Sequence, residues 1–287
     1  MVTVWMLTDR RYLGQRMPAA LIEWLDGEGC PPAIVVADDR ARLCSVAPLD
    51  ASLVPSVWER LEPDDLVVTR SRDTFALALL EEAEARGAHA LDGAQAVHRV
   101  RHKATCALGL ARHGLPIPPT LLASGPDDLG GLPESAFPLV VKPVLGDNAQ
   151  GVQMLAERAE LDAVQWDGQP LIAQAYVEAG GFDIKLYVAG DNVWATRRPG
   201  PLSEREDPVV RVEVTPELQR IAEGCRLEFG LSLFGVDVLD CQGRLSIVDV
   251  NEFPNYTGVE EAPAAIGALV LAEAGREPVT TPERMSL

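Results

Sequence analysis

The chain of 287 residues carries 43 acidic and 25 basic side chains, which gives a formal net charge of −18. Nucleic acid duplexes bind mainly through phosphate neutralisation on a basic surface, so this charge argues against nucleic acid as a partner. No apolar run approaches the ~18–20 residues that span a bilayer, and the N-terminal residues lack the basic region of a signal peptide, so we expect no membrane association.

Residues 1–95 alternate strand and helix signals. The strand signals lie at Val2–Leu7, Ala33–Ala37 and Leu66–Thr69, and the helix signals lie at Ala19–Leu25 and Phe75–Arg86. Strands that alternate with helices predict a parallel sheet with helices on its faces. No G-x-G-x-x-G motif follows the first strand, so nothing here indicates a dinucleotide site.

The middle of the chain changes to a series of short strands. A helix is predicted over Lys103–His113, and it ends at Gly114, which precedes three prolines. The segment Pro126–Pro133 is rich in turn residues. Strands are then predicted at Phe137–Lys142, Gly151–Leu155, Leu171–Val177, Asp183–Ala189 and Val193–Arg197, with a loop at Pro143–Gly151.

The last part of the chain begins with a polar, turn-rich segment, Pro199–Pro208, which predicts a mobile loop. An amphipathic helix follows over Thr215–Phe229, with Thr215 as the N-cap residue, proline at the first helical position and Gly230 as the stop. A final helix is predicted across Pro263–Ala274.

Two apolar runs on either side of a Cys-Gln-Gly turn predict a β-hairpin with three oxygen-bearing side chains. Asp237 lies in the first run, and alternation puts Asp249 and Asn251 on one face of the second. Two carboxylates and an amide oxygen are hard ligands of the kind that Mg²⁺ prefers, with phosphate oxygens completing the shell. The sequence therefore favours a metal–nucleotide site over the alternative that these residues cap strand ends.

Lysine is scarce, because Lys103, Lys142 and Lys185 are the only lysines among 25 basic residues. Lys142 ends a predicted strand and enters a glycine-containing loop, an arrangement that can bring an ammonium and backbone N–H groups against phosphates. Lys185 could be a simple strand-face charge. Alternatively, Lys185 or Arg198 meets a phosphate at which negative charge develops during the reaction.

The five cysteines are scattered, odd in number and without C-x-x-C spacing. This pattern predicts reduced thiols, a cytoplasmic location and no zinc site.

Five segments carry a family resemblance. They are Arg101-His102-Lys103, Gly114-Leu-Pro-Ile-Pro-Pro-Thr120, Val140-Val-Lys142-Pro143, Gln174-Ala-Tyr-Val-Glu-Ala-Gly-Gly-Phe-Asp-Ile-Lys185 and Phe234-Gly-Val-Asp-Val-Leu239. In this order they resemble the ATP-grasp superfamily over nearly the whole chain, and most closely its ribosomal protein S6 glutamate ligase-like branch. The resemblance implies an α/β ATP-grasp fold: an N-terminal α/β domain with a parallel sheet over 1–95, a central lid domain over 96–173, and a C-terminal α+β domain over 174–287.

The resemblance also implies that ATP is held between two antiparallel sheets. Lys103 and Lys142 would contact its phosphates, and Asp183 would hold its ribose. The adenine contacts would come from Gln174, Ala175, Tyr176 and Val177. Asp237, Asp249 and Asn251 would hold Mg²⁺ or Mn²⁺. Lys185 and Arg198 are the candidate catalytic residues, because a cation can offset the charge that develops on a transferred phosphate.

The implied reaction is carboxylate–amine ligation, in which ATP phosphorylates a carboxylate and an amine attacks the acylphosphate. Asp249 stands where the ligase branch usually has Glu, and the segment from Arg197 to Pro208 lacks that branch's usual loop. Asp249-Val-Asn-Glu-Phe-Pro254 and Arg198-Pro-Gly-Pro-Leu202 resemble instead the inositol polyphosphate kinase branch. The alternatives are therefore a kinase that phosphorylates a polyol or inositol phosphate, and a nucleotide-binding protein without activity.

We expect the acceptor to be a small molecule or a peptide. The sequence leaves homo-oligomerisation open.

Overall fold

The computed structural model describes residues 2–37, 57–147 and 149–277. These residues fall into two compact units. The first unit draws on residues 1–94, 189–192 and 253–287, and the second on residues 95–188 and 193–252. In the described ranges no helix is long and apolar enough to cross a membrane. The three-part division of the chain at residues 95 and 173 remains a prediction.

The helices and strands of the described residues are as follows. The α-helices in chain order are α1 Arg10–Leu13, α2 Arg16–Gly27, α3 Thr74–Ala85, α4 Ala94–Arg101, α5 Lys103–Arg112, α6 Pro216–Phe229 and α7 Ala262–Glu273. The strands are β1 Val4–Thr8, β2 Ala33–Val36, β3 Leu66–Arg70, β4 His89–Ala90, β5 Thr120–Ala123, β6 Leu139–Pro143, β7 Gln153–Leu155, β8 Leu171–Ala175, β9 Phe182–Ala189, β10 Asn192–Pro199, β11 Val210–Val212, β12 Leu233–Cys241 and β13 Arg244–Glu252. Short 3-10 helices lie at Pro126–Gly131, Glu134–Ala136 and Arg158–Ala163.

The first unit contains the parallel sheet that the alternating pattern predicts. Its four strands have the spatial order β2-β1-β3-β4. β1 pairs in parallel with both neighbours, and Trp5 lies opposite Ala33 on one side and Val67 on the other. Every residue of β1 is buried, as expected for the central strand of a sheet covered on both faces. α2 packs closely on α7 at Gly267, where a side chain would meet the ring of Trp24.

The second unit contains two sheets. One has four strands in the order β5-β8-β6-β7, with antiparallel pairing that places Val140 opposite both Gln174 and Met154. The other has five strands in the order β11-β10-β9-β12-β13. α5 packs against α6 and also contacts β8 and β13. One helix of this unit therefore touches both sheets, and its first residue is Lys103.

The strongest local patterns agree with the structure. The Thr215 hydroxyl accepts a hydrogen bond from the backbone N–H of Leu218 at 3.3 Å, and Gly230 ends α6 in the left-handed conformation with φ of 69°. The elements that the sequence patterns missed are short or polar: α1, α4, β4, β5, β11 and the 3-10 helices. Strands of three or four residues carry little periodicity, and their positions depend on pairing with strands that lie far away in the sequence.

Candidate active site

The predicted hairpin is formed by β12 and β13. Asp237 lies directly opposite Asp249, and Gly235 lies opposite Asn251. Val236 and Val250, which pair between them, are buried on the other face. The register shifts immediately after Asp237, and bulges of this kind re-aim side chains beside functional sites. The hairpin therefore brings the three predicted metal ligands together on one face.

Asp237 is the centre of a hydrogen-bonded network that joins three further side chains. Lys185 Nζ donates to Oδ2 at 2.8 Å, the Arg198 guanidinium donates to Oδ1 at 3.0 Å, and Asn251 Nδ2 donates to Oδ2 at 3.1 Å. Lys185 comes from β9 and Arg198 from β10, which are adjacent strands. Lys185 is only 5% exposed, so removing Asp237 would leave a buried charge without its carboxylate.

Asp249 is surrounded by all three lysines of the chain. Lys103 Nζ lies 3.2 Å from its Oδ2, because α5 begins at Lys103 and its first turn points at β13. Burial alone would raise the pKa of the Asp249 carboxyl. The ammonium groups of Lys103, Lys142 and Lys185 outweigh burial and hold that pKa below its usual value. Asp249 is therefore a carboxylate at neutral pH.

Lys142 lies at the end of β6 and donates to two neutral oxygens. Its Nζ is 2.7 Å from Gln174 Oε1 and 3.1 Å from the carbonyl oxygen of Val248. Burial lowers the pKa of this ammonium, and the nearby Asp249 carboxylate acts in the opposite direction. The backbone N–H of Lys103 bonds to the carbonyl of Val144 at 2.8 Å, which ties the start of α5 to the loop after Lys142.

A largely apolar cavity opens beside Lys142. Its polar lining includes Lys142, Gln174 and Asp183. The rest of the wall comes from the β8–β9 connection, from the segment after β10 and from the hairpin, and includes Ala175, Tyr176, Val177, Phe182, Gly200, Leu202, Ser203, Leu239 and Val248. Apolar walls with a few convergent polar groups are typical of sites for small organic ligands.

Asp183 lines this cavity and is 6% exposed. Burial and the negative charge of Asp237 raise the pKa of its carboxyl to about 6, against the smaller opposing effects of Arg198, Lys185 and Lys142. A Cβ at Gly200 would lie 2.7 Å from Asp183 Oδ1, so a glycine at this position leaves room for the carboxyl group.

The segment Pro199–Pro208, predicted as a mobile loop, contributes to the cavity wall. The backbone N–H of Gly200 bonds to the carbonyl of Gly181 at 3.0 Å. Arg205 lies 4.6 Å from the centre of the Phe182 ring, and Arg197 lies 4.7 Å from the same ring. Gly200 and Arg205 of this segment therefore lie beside Gly181 and Phe182.

The structure brings the predicted site residues into one part of the second unit. Lys103, Lys185, Arg198 and Asn251 contact the two aspartates of the hairpin, and Ala175, Tyr176, Val177 and Asp183 line the cavity. Gln174 was grouped with the adenine contacts, and its side chain bonds to Lys142.

Two features were missed by the sequence patterns. Gly200 and Ser203 line the cavity, and the Gly-Pro pair was their only signal. Arg101, which stands in the motif that precedes α5, pairs with the buried carboxylate of Glu252 at 2.8 Å and so joins α4 to the end of β13.

Comparison with known proteins identifies the family. Residues 100–268 match the RimK-like ATP-grasp domain. The chain belongs to this family. A probable alpha-L-glutamate ligase from Stutzerimonas stutzeri (strain A1501) is 31% identical over 231 residues, which cover 74% of this chain and 77% of that protein.

Two solved structures agree with the RimK-like ATP-grasp fold. D-cycloserine synthetase DcsG superposes with a TM-score of 0.71 at 20% identity, covering 94% of this chain and 99% of that one. The ATP-grasp ligase PsnB, complexed with minimal precursor, Mg and ADP, gives a TM-score of 0.69 at 16% identity over 95% and 98% of the two chains. The chain is an ATP-dependent ligase of the ATP-grasp type, and none of these proteins supports the kinase alternative.

The residues of the hairpin fit the Mg²⁺ that ATP-grasp ligases use. Asp237 and Asp249 face each other across one strand pair, and Asn251 lies within hydrogen-bond distance of Asp237. This set offers only oxygen ligands, as magnesium requires. Among the described residues, no three His, Cys, Asp or Glu side chains form a metal-binding group, and the third side chain of this set is the amide of Asn251.

Proposed function

We propose that this chain is a carboxylate–amine ligase that forms an acylphosphate and then an amide. The observation that carries the proposal is the pair of opposed carboxylates, Asp237 and Asp249, flanked by Lys103, Lys185 and Arg198. Such a set can hold a polyanionic nucleotide and offset charge that develops during phosphoryl transfer.

The nucleotide would lie in the cavity beside Lys142. Its adenine would meet the backbone of Ala175, Tyr176 and Val177, which line the apolar part of the wall. Its ribose would bond to Asp183, whose carboxyl is ionised above about pH 6. Lys103 and Lys142 would contact the phosphates, because both ammonium groups lie beside Asp249 and carry hydrogens that can be redirected to an anion.

Asp237, Asp249 and Asn251 would hold Mg²⁺, or Mn²⁺ with the same oxygen ligands. When bound, the metal would neutralise phosphate charge. Lys185 and Arg198 now share Asp237 with each other. They would turn from this carboxylate to the transferred phosphate, and each would stabilise negative charge on its oxygens.

The acceptor would be a small amino acid derivative or a peptide. The related proteins carry names of both kinds: an alpha-L-glutamate ligase, a D-cycloserine synthetase and a ligase complexed with a minimal precursor. With a net charge of −18, the protein as a whole would disfavour highly phosphorylated acceptors.

The test is a screen of amino acids, small amides and short peptides for acceptor-dependent ADP release with Mg²⁺ and then with Mn²⁺. For an active pair, we expect ADP, inorganic phosphate and amide in equal amounts, and hydroxylamine should trap the activated carboxylate as a hydroxamate. Transfer of the γ-phosphate to a hydroxyl without release of phosphate would contradict the proposal.

A further inference from the structure

The segment Gly114–Thr120 joins α5 to β5 and supplies none of the predicted site residues. Its carbonyl groups reach both sheets of the second unit. The carbonyl of Pro116 accepts from the N–H of Ile247 in β13 at 2.7 Å, and that of Pro119 accepts from the N–H of Ala175 in β8 at 2.9 Å. These are the strands that supply the two hydrogen-bond acceptors of Lys142, Val248 and Gln174.

The Thr120 hydroxyl continues this connection to Gln174 through side chains. Thr120 Oγ1 lies 2.7 Å from the carbonyl of Pro118 and 3.2 Å from Gln174 Nε2. Gln174 Oε1 in turn accepts from Lys142 Nζ at 2.7 Å. An ammonium only donates, so the amide oxygen must face Lys142 and the amide N–H must face Thr120. The hydroxyl hydrogen then goes to Pro118, and each group in the chain has one possible direction.

These hydrogen bonds are buried at the end that includes Gln174 and Lys142. Gln174 is 4% exposed and Lys142 is 9% exposed, so water cannot readily replace a lost partner. The Ile247 N–H bond to Pro116 fixes the backbone immediately before Val248, the second acceptor of Lys142. The segment therefore fixes both oxygens that define where the ammonium lies.

We propose that Gly114–Thr120 is a positioning segment, in which Thr120, acting through Gln174, fixes the Lys142 ammonium for contact with nucleotide phosphates. The proposal rests on the proposed function, because it assumes that Lys142 contacts ATP. It assigns a role to a threonine that does not itself touch the nucleotide.

The first test compares Thr120→Val with Thr120→Ser by calorimetric titration with ATP and ADP. Valine keeps the shape and removes the hydroxyl, which leaves the Gln174 amide N–H unpaired, so ATP affinity should fall by about tenfold. Serine restores the hydroxyl and should restore affinity to within about twofold. Gln174→Met, which removes the middle of the chain, should weaken ATP binding at least as much. Unchanged ATP affinity in Thr120→Val would overturn the proposal, whatever the effect of Gln174→Met.

A double-mutant cycle separates positioning of Lys142 from a general structural effect. In a Lys142→Met background, Thr120→Val should cause no further loss of ATP affinity, because its effect passes through the missing ammonium. Losses that simply add would overturn the proposal. If Lys142→Met alone leaves ATP affinity unchanged, the failure lies in the proposed function of Lys142 and not in the connection from Thr120.

Thr69→Val is the matched control. The Thr69 hydroxyl in β3 is also buried, and it has no hydrogen-bond partner among the described residues. Its replacement by valine should leave ATP affinity unchanged. Thermal unfolding of every variant checks that the fold is retained, and a loss of ATP affinity in Thr69→Val equal to that in Thr120→Val would count against a specific role for Thr120.

Discussion

The two sheets of the second unit hold their cationic side chains in different ways. In the β5-β8-β6-β7 sheet, Lys142 donates to an amide oxygen and a backbone carbonyl, which are both neutral. In the β11-β10-β9-β12-β13 sheet, Lys185 and Arg198 each donate to the carboxylate of Asp237. One sheet positions its cation by dipoles, and the other positions its cations by opposite charge.

The difference has a physical consequence for ligand binding. A cation held by neutral oxygens keeps its full charge for an incoming anion, and the cost of its burial is visible in the lowered pKa of Lys142. Cations that are paired with a carboxylate must move away from it before they can bind an anion. Another cation must then take their place beside that carboxylate. We therefore expect the five-stranded sheet to be the more sensitive to the loss of a single charge.

The largest effect is expected for Asp249→Asn. This change removes one of the two opposed carboxylates and leaves Lys103 beside a neutral amide, so turnover measured as ADP release should fall by about 10³-fold or more. Nucleotide binding should fall less than turnover. Asp240→Asn, at an exposed position of the same hairpin, is the control and should behave like the original protein. Turnover of Asp249→Asn within a few-fold of the original would refute charge compensation as the principle of this sheet.

Two adjacent arginines of β10 provide the next comparison. Arg198→Met removes a cation that contacts Asp237, and turnover should fall by about 10²-fold. Arg197→Met removes the same charge from the neighbouring residue, which lies over the Phe182 ring, and should change turnover by only a few-fold. Equal losses in both variants would mean that net charge matters here more than contact with Asp237.

Much of the five-stranded sheet could be predicted from the sequence, because the hairpin that carries its aspartates is formed by residues close together in the sequence. The Cys-Gln-Gly turn predicts the hairpin, and alternation puts Asp249 and Asn251 on one face of its second strand. Asp237 lies opposite Asp249 because the register shifts after Asp237, and the sequence pattern does not predict that shift. The caps of α6 were equally local. The order of the five motifs then carried the family resemblance.

The β5-β8-β6-β7 sheet, in which Lys142 donates to neutral oxygens, was harder to predict from the sequence. The contact of Thr120 with Gln174 spans 54 residues and depends on the pairing of β5 with β8, and β5 is a four-residue strand without a clear pattern. The approach of Gly200 to Asp183 was missed for a similar reason, because a glycine that gives way to a distant side chain leaves no periodic signal.

We expect the buried carboxyl of Asp183 to make the stability of the fold depend on pH. Its pKa in the folded protein, about 6, lies above the ordinary value of 3.8, so the unfolded chain loses this proton first as the pH rises. The stability that Asp183 contributes is therefore complete below about pH 4, falls as the pH approaches 6, and stays low above that.

Asp183→Asn lacks this titration. The difference in free energy of unfolding between the original protein and Asp183→Asn should move by about 2 kcal/mol against the original protein between pH 4 and 7, which is a few degrees in Tm. Thermal unfolding of both proteins at several pH values measures it. A difference that does not vary with pH would mean that ionisation of the buried Asp183 carboxyl does not destabilise the folded protein.

The smallest effect is expected for Gly200→Ala. This variant tests whether the segment Pro199–Pro208 contacts ATP or the acceptor. The added methyl group would lie 2.7 Å from Asp183 Oδ1 and 3.3 Å from its Cγ, so the carboxyl group must shift. A flexible side-chain end can shift at a cost of about 1 kcal/mol, so ATP affinity should fall by roughly three- to tenfold.

Gly130→Ala is the control, because a methyl group there meets nothing within 4 Å. In an Asp183→Ala background the effect of Gly200→Ala should largely disappear, since the obstructing carboxyl is gone. An unchanged affinity for ATP together with a raised KM for the acceptor would instead indicate that this segment contacts the acceptor. The part of the cavity wall formed by Gly200 and Ser203 would then bind the acceptor and not the nucleotide that Lys142 contacts.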